Sequence, residues 1–420
     1  MKLRKRIRTR ITAKRMKKMS HLMKHSLALL LSLICCIAAC TGLAEKEAVQ
    51  VPEVDVQAFE VPDNEAMAFL RTMGVGWNLG NTFDAYNDAL PASREMDQET
   101  IWHGARTTEA MIAAVHDAGF TTIRMPVTWH NHVDADFNIS EQWLDRVQEV
   151  LDYAYSRGMY VILDTHHDEG KDYFYPTEEY YETSERYISR IWAQLAERFA
   201  DYDEHLIFES LNEPRLKGHP TNEWTFTGAV PACREAAECI NRLNQVFVDT
   251  VRTAGSYNET RYLMVPAYAA TPAAATNAFF VLPNDTADNR IIVSAHAYTP
   301  YNFALQDGGT SEFSLKSTRS TREITKFMDS LYKKYIANGI PVIIGEFGAR
   351  EKNGNLQARV DFTSFYVANA SARNMPCCWW DNNCFTGDGE RFGLLRRYNC
   401  TWIYPQIVEA LTTYAMTNVQ

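Results

Sequence analysis

The stretch His205-Leu-Ile-Phe-Glu-Ser-Leu-Asn-Glu-Pro214 decides how the rest of the chain is read. It starts as a short apolar run, the pattern of a buried strand. It stops at Asn212-Glu213-Pro214, where proline removes a ladder donor and turns the chain out of the sheet. A carboxylate at the strand's last residue, with an amide beside it, then points out of the core toward whatever lies at the sheet's end. In a parallel α/β architecture ligands bind at that end. A second stretch, Pro341-Val-Ile-Ile-Gly-Glu-Phe-Gly348, repeats the design: four apolar residues, glycine, then Glu346.

Outward from these two, short apolar runs alternate with helical patterns from Met73 onward. Strands are expected at Met73–Leu79, Phe120–Pro126, Met159–Asp164, the opening stretch, Tyr262–Pro266, Ile291–His296, Val342–Gly345 and Met375–Trp380. Helices are expected at Thr108–Ala118, Glu141–Arg157, Ser184–Phe199, Asn241–Ala254, Thr321–Asn338 and Pro405–Thr413. Gly119 and Gly158 supply two of the stops. Eight strand–helix units in about 350 residues predict an α/β fold of the (β/α)8, TIM-barrel type. A doubly wound open sheet is the alternative. No Gly-x-Gly-x-x-Gly turn follows the first strand, which leaves a dinucleotide fold poorly supported.

The expected strand ends form a set: Asn78, Arg124, His166 with His167, Asn212 with Glu213, His296 with Tyr298, Glu346, and Trp380. A closed barrel brings them to one face, and few cores tolerate so many polar groups there without a functional reason. Two glutamates on separate strand ends meet the requirement for hydrolysing a glycosidic bond with retention, at a carboxyl separation of about 5–5.5 Å.

The motifs Gly76-Trp-Asn-Leu-Gly-Asn-Thr-Phe-Asp84, Ile123-Arg-Met-Pro-Val-Thr-Trp129, Val161-Ile-Leu-Asp-Thr-His-His167, Asn212-Glu-Pro214, His296-Ala-Tyr298 and Gly345-Glu-Phe-Gly348 resemble glycoside hydrolase family 5. Trp380-Asp-Asn382 and Gly393-Leu-Leu-Arg396 fit as well, so the resemblance runs from Met67 to Leu411. The pattern is most similar to subfamily 4, which holds endo-β-1,4-glucanases, lichenases, xylanases and xyloglucanases. One departure is Trp102-His-Gly-Ala, where the family usually shows Trp-Gly-Asn-Pro; it leaves the first loop and the distal subsites open.

The resemblance implies Glu213 as acid/base and Glu346 as nucleophile. Glu213 is then expected to be protonated near neutral pH, raised by burial or by the charge of Glu346. Glu346 is expected to be ionised, with Arg124 and Tyr298 as its donors. Asn212 resembles the residue that bonds the 2-hydroxyl, against the plainer role of capping a turn. His166 and His296 resemble residues that position sugar hydroxyls and the two carboxyls, and Trp380 the tryptophan that floors the cleavage subsite. Trp77 is expected in the core; Asn78, Asn81, His167 and Trp129 are weaker candidates for sugar contacts. A metal pair at His166 and His167 lacks a third ligand at helical spacing, so no metal and no cofactor is expected.

Before the barrel, residues 1–24 carry eleven Lys and Arg and no acid, followed by the apolar run Ser26–Cys40. That is a signal-peptide pattern, too short for a stable span. Its end, Ile37-Ala-Ala-Cys40, resembles a bacterial lipobox, which implies lipidation and a membrane anchor at Cys40 and an exported lipoprotein. A plain signal and a basic nucleic-acid arm are the alternatives. The expected organisation is a signal at 1–39, a linker at 40–65 and a catalytic domain at 66–420. Without residues 1–39 the chain holds 31 basic and 52 acidic residues, a balance that disfavours nucleic acid and suits a neutral polymer. Six cysteines remain, and Cys233–Cys239 and Cys384–Cys400 are the pairs expected if disulfides form. The reading is therefore an exported, monomeric, retaining endo-β-1,4-glucanase acting on a β-glucan polysaccharide. Xyloglucan, mixed-linkage glucan or xylan are the alternative substrates within the same chemistry. A non-catalytic glycan-binding lipoprotein is the rival of another class.

Overall fold

The computed structural model describes residues 48–416. The expected signal, Cys40 and the first part of the expected linker lie outside the described residues. Eight parallel strands close into one barrel in sequence order: β1 (Val75–Leu79), β2 (Thr122–Met125), β3 (Tyr160–Asp164), β4 (Leu206–Glu209), β5 (Leu263–Pro266), β6 (Ile291–His296), β7 (Val342–Phe347) and β8 (Cys377–Asp381). Nearly every strand residue is buried, because the barrel interior covers one face and the helices the other.

The α-helices are α1 (Glu65–Thr72), α2 (Glu109–Asp117), α3 (Glu141–Tyr155), α4 (Tyr181–Arg198), α5 (Pro231–Thr253), α6 (Pro272–Ala275), α7 (Tyr301–Ala304), α8 (Thr318–Lys334), α9 (Leu356–Ala372) and α10 (Pro405–Thr413). A small antiparallel pair, β9 (Leu395–Arg396) and β10 (Thr401–Trp402), follows the barrel. The expected strands and six helices are present with ends shifted by a few residues, except that the helix expected from Asn241 already starts at Pro231. Helix α9 was not expected. Val360, Phe362, Tyr366 and Val367 are buried on it, but so are Arg359, Thr363, Ser364 and Asn369. A helix covered on nearly every side has no apolar stripe to read.

Helix α1, which starts where the expected linker ends, was not expected either. Asn64 caps it, its Oδ1 accepting the Met67 N–H at 2.8 Å, and Ala66, Met67, Phe69 and Leu70 are buried. Residues 49–64 have no helix or strand of their own, yet they are laid against the barrel's helices. The Phe59 N–H donates to the Ala372 carbonyl at 2.8 Å, and the Phe59 ring meets Tyr332 edge-on beneath the Arg373 guanidinium. The Val54 N–H donates to the Tyr414 hydroxyl at 2.9 Å. The scattered apolar residues of this segment are its anchors.

The expected disulfides are absent: all six cysteines outside the export segment are free thiols. Cys233 and Cys239 lie on one helix, α5. Six residues there rise about 9 Å, beyond the reach of an S–S bridge. Among the described residues no helix is long and apolar enough to cross a membrane.

Candidate active site

The site grows from one arginine. Arg124, in β2, is fully buried and spends all five of its N–H donors on side chains that converge from four other elements. Nε donates to Glu209 at 2.6 Å. Nη1 donates to Asn78 at 3.1 Å and to Glu346 at 2.8 Å. Nη2 donates to Asp164 at 2.7 Å and to Asn212 at 2.9 Å. A planar guanidinium with a fixed fork of donors is the side chain suited to such a junction. Arg124 therefore sets the relative positions of the ends of β1, β3, β4 and β7.

Glu213 is not the last residue of its strand. Strand β4 ends at Glu209, because the chain leaves the barrel before the proline and not at it. Asn212 is tied to the next strand end, its N–H donating to the Thr165 carbonyl at 2.9 Å. With its Oδ1 on Arg124, Asn212 keeps its amide N–H2 for another acceptor and caps no turn. Glu213 lies beyond it with a side chain 17% exposed, against 7% for Glu346. One oxygen of each carboxyl lies within 4.8 Å of the other. So close an approach is on the side of the short carboxyl separation of retaining pairs and not of the wider one of inverting pairs.

His296 sits between the two. Its Nδ1 is 2.9 Å from Glu213 Oε1 and 3.7 Å from Glu346 Oε1, and its Nε2 is 3.8 Å from Glu209. A Cβ on Gly345 would come within 3.0 Å of that Nε2, so the glycine before Glu346 makes room for the imidazole. The pairing of β6 with β7 is irregular at this point, between Ala295 and His296, as strands at active sites often are.

Burial works against the charged form of His296, but Glu346, Glu209 and Glu213 outweigh it and push the imidazole up to about 10. The consequence reverses the expectation for the two glutamates. Burial raises the Glu213 carboxyl, yet the hydrogen bond and charge of His296 win and hold it below the usual range. Burial also raises Glu346, and although His296 and Arg124 oppose this, the carboxyl stays above the usual range, with Glu213 adding to the rise. In the resting site the exchangeable proton of the Glu213–His296 contact thus sits on the imidazole. Passing it across 2.9 Å makes Glu213 a donor and His296 neutral.

Glu346 is held from both sides, Oε1 by Arg124 and Oε2 by the Tyr298 hydroxyl at 2.7 Å. The Tyr298 phenol is kept well above its ordinary value by burial and by Glu346, so it stays a donor. His166 bonds Asp164 through Nδ1 at 2.8 Å. Burial and Arg124 hold its pKa well below the usual range, so the ring is neutral and leaves Nε2 to a hydroxyl. Trp380 lies parallel to His166, with ring centroids 5.8 Å apart, and its other side rests on Gly80, where a Cβ would be 2.8 Å from the indole.

Residues 83–386 match the family model Cellulase (glycosyl hydrolase family 5). The chain belongs to glycosyl hydrolase family 5. It is 39% identical over 379 residues to Endoglucanase B of Ruminococcus albus, covering 89% of this chain and 87% of that protein. It is 40% identical over 352 residues to Cellulase/esterase CelE of Acetivibrio thermocellus, covering 83% of this chain but spanning only 40% of that protein. A solved GH5 family lichenase from Caldicellulosiruptor sp. F32 superposes with a TM-score of 0.86 at 52% identity, over 87% of this chain and 100% of that one. A GH5-4 broad specificity endoglucanase from Ruminococcus champanellensis gives 0.77 at 43% identity, over 84% and 100%. The family and the barrel read from the sequence are borne out.

Some candidates of this family 5 hydrolase stand elsewhere than expected. Asn78 is fully buried beneath the site, its amide donating to the carbonyls of Gly345, Cys378 and Trp379; it is scaffold and meets no sugar. Trp129 is also fully buried, with its indole N–H on the Asp164 carbonyl. Trp77 is core, as expected, and donates to Asp381 at 2.9 Å. Asn81 turns the β1 loop at φ 59, its N–H on Asp84. His167 stands half-buried at the mouth, against Tyr86 and Trp102.

Asp84 supplies the third group that helical spacing lacked, lying with His166 and His167 close enough to hold a cation. Both Asp84 oxygens already accept N–H bonds, from Thr82 and Asn81, and Asp84 is fully buried. The sequence reading missed Glu209, Asp164 and Ser294, whose hydroxyl donates to Glu209 at 2.6 Å. The signal for Glu209 was available: a charge directly after the apolar run Leu206–Phe208, still in the strand, must face a partner.

Proposed function

We propose that this family 5 hydrolase is a retaining endo-β-1,4-glucanase that cleaves internal bonds of plant cell-wall glucans by double displacement. The observation that carries the reading is the close approach of Glu213 and Glu346, each held by its own set of partners. Glu346, oriented by Arg124 and Tyr298, attacks the anomeric carbon. Glu213, supplied with the His296 proton, gives it to the leaving oxygen. Formation of the glycosyl ester removes the charge of Glu346, and Glu213, now a carboxylate beside His296, accepts a proton from water in the second step. The Asn212 amide and His166 Nε2 are placed to hold sugar hydroxyls, and Trp380 to floor the ring.

Internal cleavage is supported by exposed aromatic faces on two loops three strands apart. Trp102, 42% exposed, stands on the β1 loop beside Tyr86. Trp224, 54% exposed, stands on the β4 loop under the Arg215 guanidinium, whose Nη1 bonds the Glu213 carbonyl. The names of the relatives favour glucans, and that of the lichenase favours mixed-linkage glucan as a good substrate. The intact pair of glutamates speaks against a purely glycan-binding role.

Reducing-sugar release from carboxymethylcellulose, barley β-glucan, xyloglucan, xylan and mannan tests the reading, with Glu213→Ala beside the natural protein. Strongest release from a β-1,4-containing glucan, lost in the variant and giving the β-anomer first, is expected. No release from any of them overturns it. We also propose that the chain is exported and lipid-anchored through Cys40; Cys40→Ser then moves the activity from the membrane pellet to the soluble fraction.

A further inference from the structure

We propose that the N-terminal face of the barrel, opposite the catalytic pair, carries a second carbohydrate site that binds a β-glucosyl unit without cleaving it. The site is a cavity of about 310 Å³. Small-ligand pockets run from roughly 300 to 1,000 Å³, so this one is of the size class for a short sugar segment. Its place follows from topology. Tyr160 opens β3, Glu204 precedes β4, Tyr262 precedes β5 and Arg290 precedes β6, and α1 crosses beside them. None of these residues belongs to the strand ends that build the catalytic site.

The lining is aromatic and polar in the manner of sugar recognition. Phe69 of α1 stacks on Tyr262 with centroids 3.8 Å apart and meets Tyr160 edge-on at 5.4 Å. Tyr257, 48% exposed, offers a ring at the rim. Phe69 and Tyr262 close the floor, and the exposed Tyr257 ring is the one open to the C–H face of a pyranose. The Tyr262 hydroxyl is closed off behind these rings beside Arg290, so the polar groups open to a ligand are those of Glu204 and Thr260.

The charges select a neutral ligand. Arg261 is saturated by five hydrogen bonds, one to Asn258 and four to backbone carbonyls, and serves as wall. Arg290 lies over the Tyr262 ring and is neutralised by Glu65. Glu204 has no ion-pair partner among the described residues, and Arg261, bonded only to neutral groups, offsets it, so the lining carries no net charge. Neither an anion nor a cation is favoured there. A neutral polyhydroxylated ring finds an aromatic face, an acceptor in Glu204 and a donor in Thr260. That the ring comes from a β-glucan rests on the proposed activity; the aromatic and polar walls do not.

The test uses the full chain carrying Glu213→Gln in native gels containing barley β-glucan, where binding slows migration. Tyr257→Ala removes an exposed ring, and Thr260→Trp fills the cavity from an exposed position. Each is expected to weaken retardation at least threefold. In the otherwise natural chain each is expected to leave kcat/KM on soluble cellotetraose within twofold and to raise KM on the polymer. Retardation unchanged by both variants overturns the proposal, as does an equal loss of cellotetraose cleavage. If the natural chain cleaves neither glucan yet retardation still falls with both variants, the activity reading fails while the second site stands.

Discussion

Replacing Arg124 by methionine keeps much of the side-chain volume and deletes all five donors at the centre of the site. Glu209 keeps Ser294 and His296, Glu346 keeps Tyr298 and His296, and Asp164 keeps His166 and the Val127 N–H, but each loses the Arg124 charge. Breaking a buried ion pair costs about 3–5 kcal/mol. The Glu209 carboxyl gives an independent figure. Burial would raise it, but Arg124 first and His296 next bring it from 4.5 down to about 2. Such a displacement corresponds to about 3 kcal/mol, shared between the two partners. The sign follows from linkage. A carboxyl with a depressed folded-state pKa contributes its stability in full above 4.5 and loses it as pH falls toward 2. The deficit of Arg124→Met, read from urea midpoints, is therefore expected to be about 3–5 kcal/mol at pH 7 and smaller by at least about 1 kcal/mol at pH 3.5. A deficit under about 1 kcal/mol at pH 7, or one that does not change with pH, would refute the view that Arg124 serves as shared counter-ion.

Three further outcomes follow from the same geometry. His296→Asn removes the charge that holds Glu213 down, leaving one proton on a buried glutamate in place of an imidazole at about 10; the alkaline limb of kcat/KM against pH should move to lower pH, and an unmoved limb counts against the shared proton. Tyr298→Phe deletes the bond to Glu346 Oε2, which lowers that carboxyl's pKa. The acid limb should move to higher pH and kcat should fall about ten- to a hundredfold, the worth of a bond of about 1.5–3 kcal/mol to a charged group, with thermal stability little changed. Gly80→Ala places a methyl against the Trp380 ring and should raise KM on cellotetraose several-fold while the fold is kept; an unchanged KM would separate Trp380 from substrate binding.

The barrel was legible because its strands are short apolar runs bounded by glycine and proline, a pattern that survives without any knowledge of contacts. The proposed pair was legible because Glu346 follows such a run directly and Asn212-Glu213-Pro214 closes the segment that follows another. The electrostatics were not. Nothing in the spacing of His296-Ala-Tyr298 says that the imidazole lies between two carboxyls, so the sequence points to burial or the charge of Glu346 for the protonation of Glu213 and not to His296. Glu209 escaped because it is buried inside the strand that drew attention to Glu213. Helix α9 escaped because it is enclosed, and residues 49–64 because an irregular strap held by Phe59 and single hydrogen bonds carries no period. Trp129 and Asn78 are only weak candidates for sugar contacts in the sequence and are buried in the structure, since a motif tells which strand end a residue occupies and not which side of the end it faces.

The central claim, that Glu346 attacks sugar while Glu213 moves protons, is tested most directly by trapping the covalent intermediate. The protein would be incubated with a 2-deoxy-2-fluoro-β-cellobioside bearing a dinitrophenolate leaving group, then digested for mass spectrometry. A single added fluorocellobiosyl group on the peptide containing Glu346, absent in Glu346→Gln, is the predicted result. An adduct on Glu213, or turnover with no adduct and inversion at the anomeric carbon, would contradict the account.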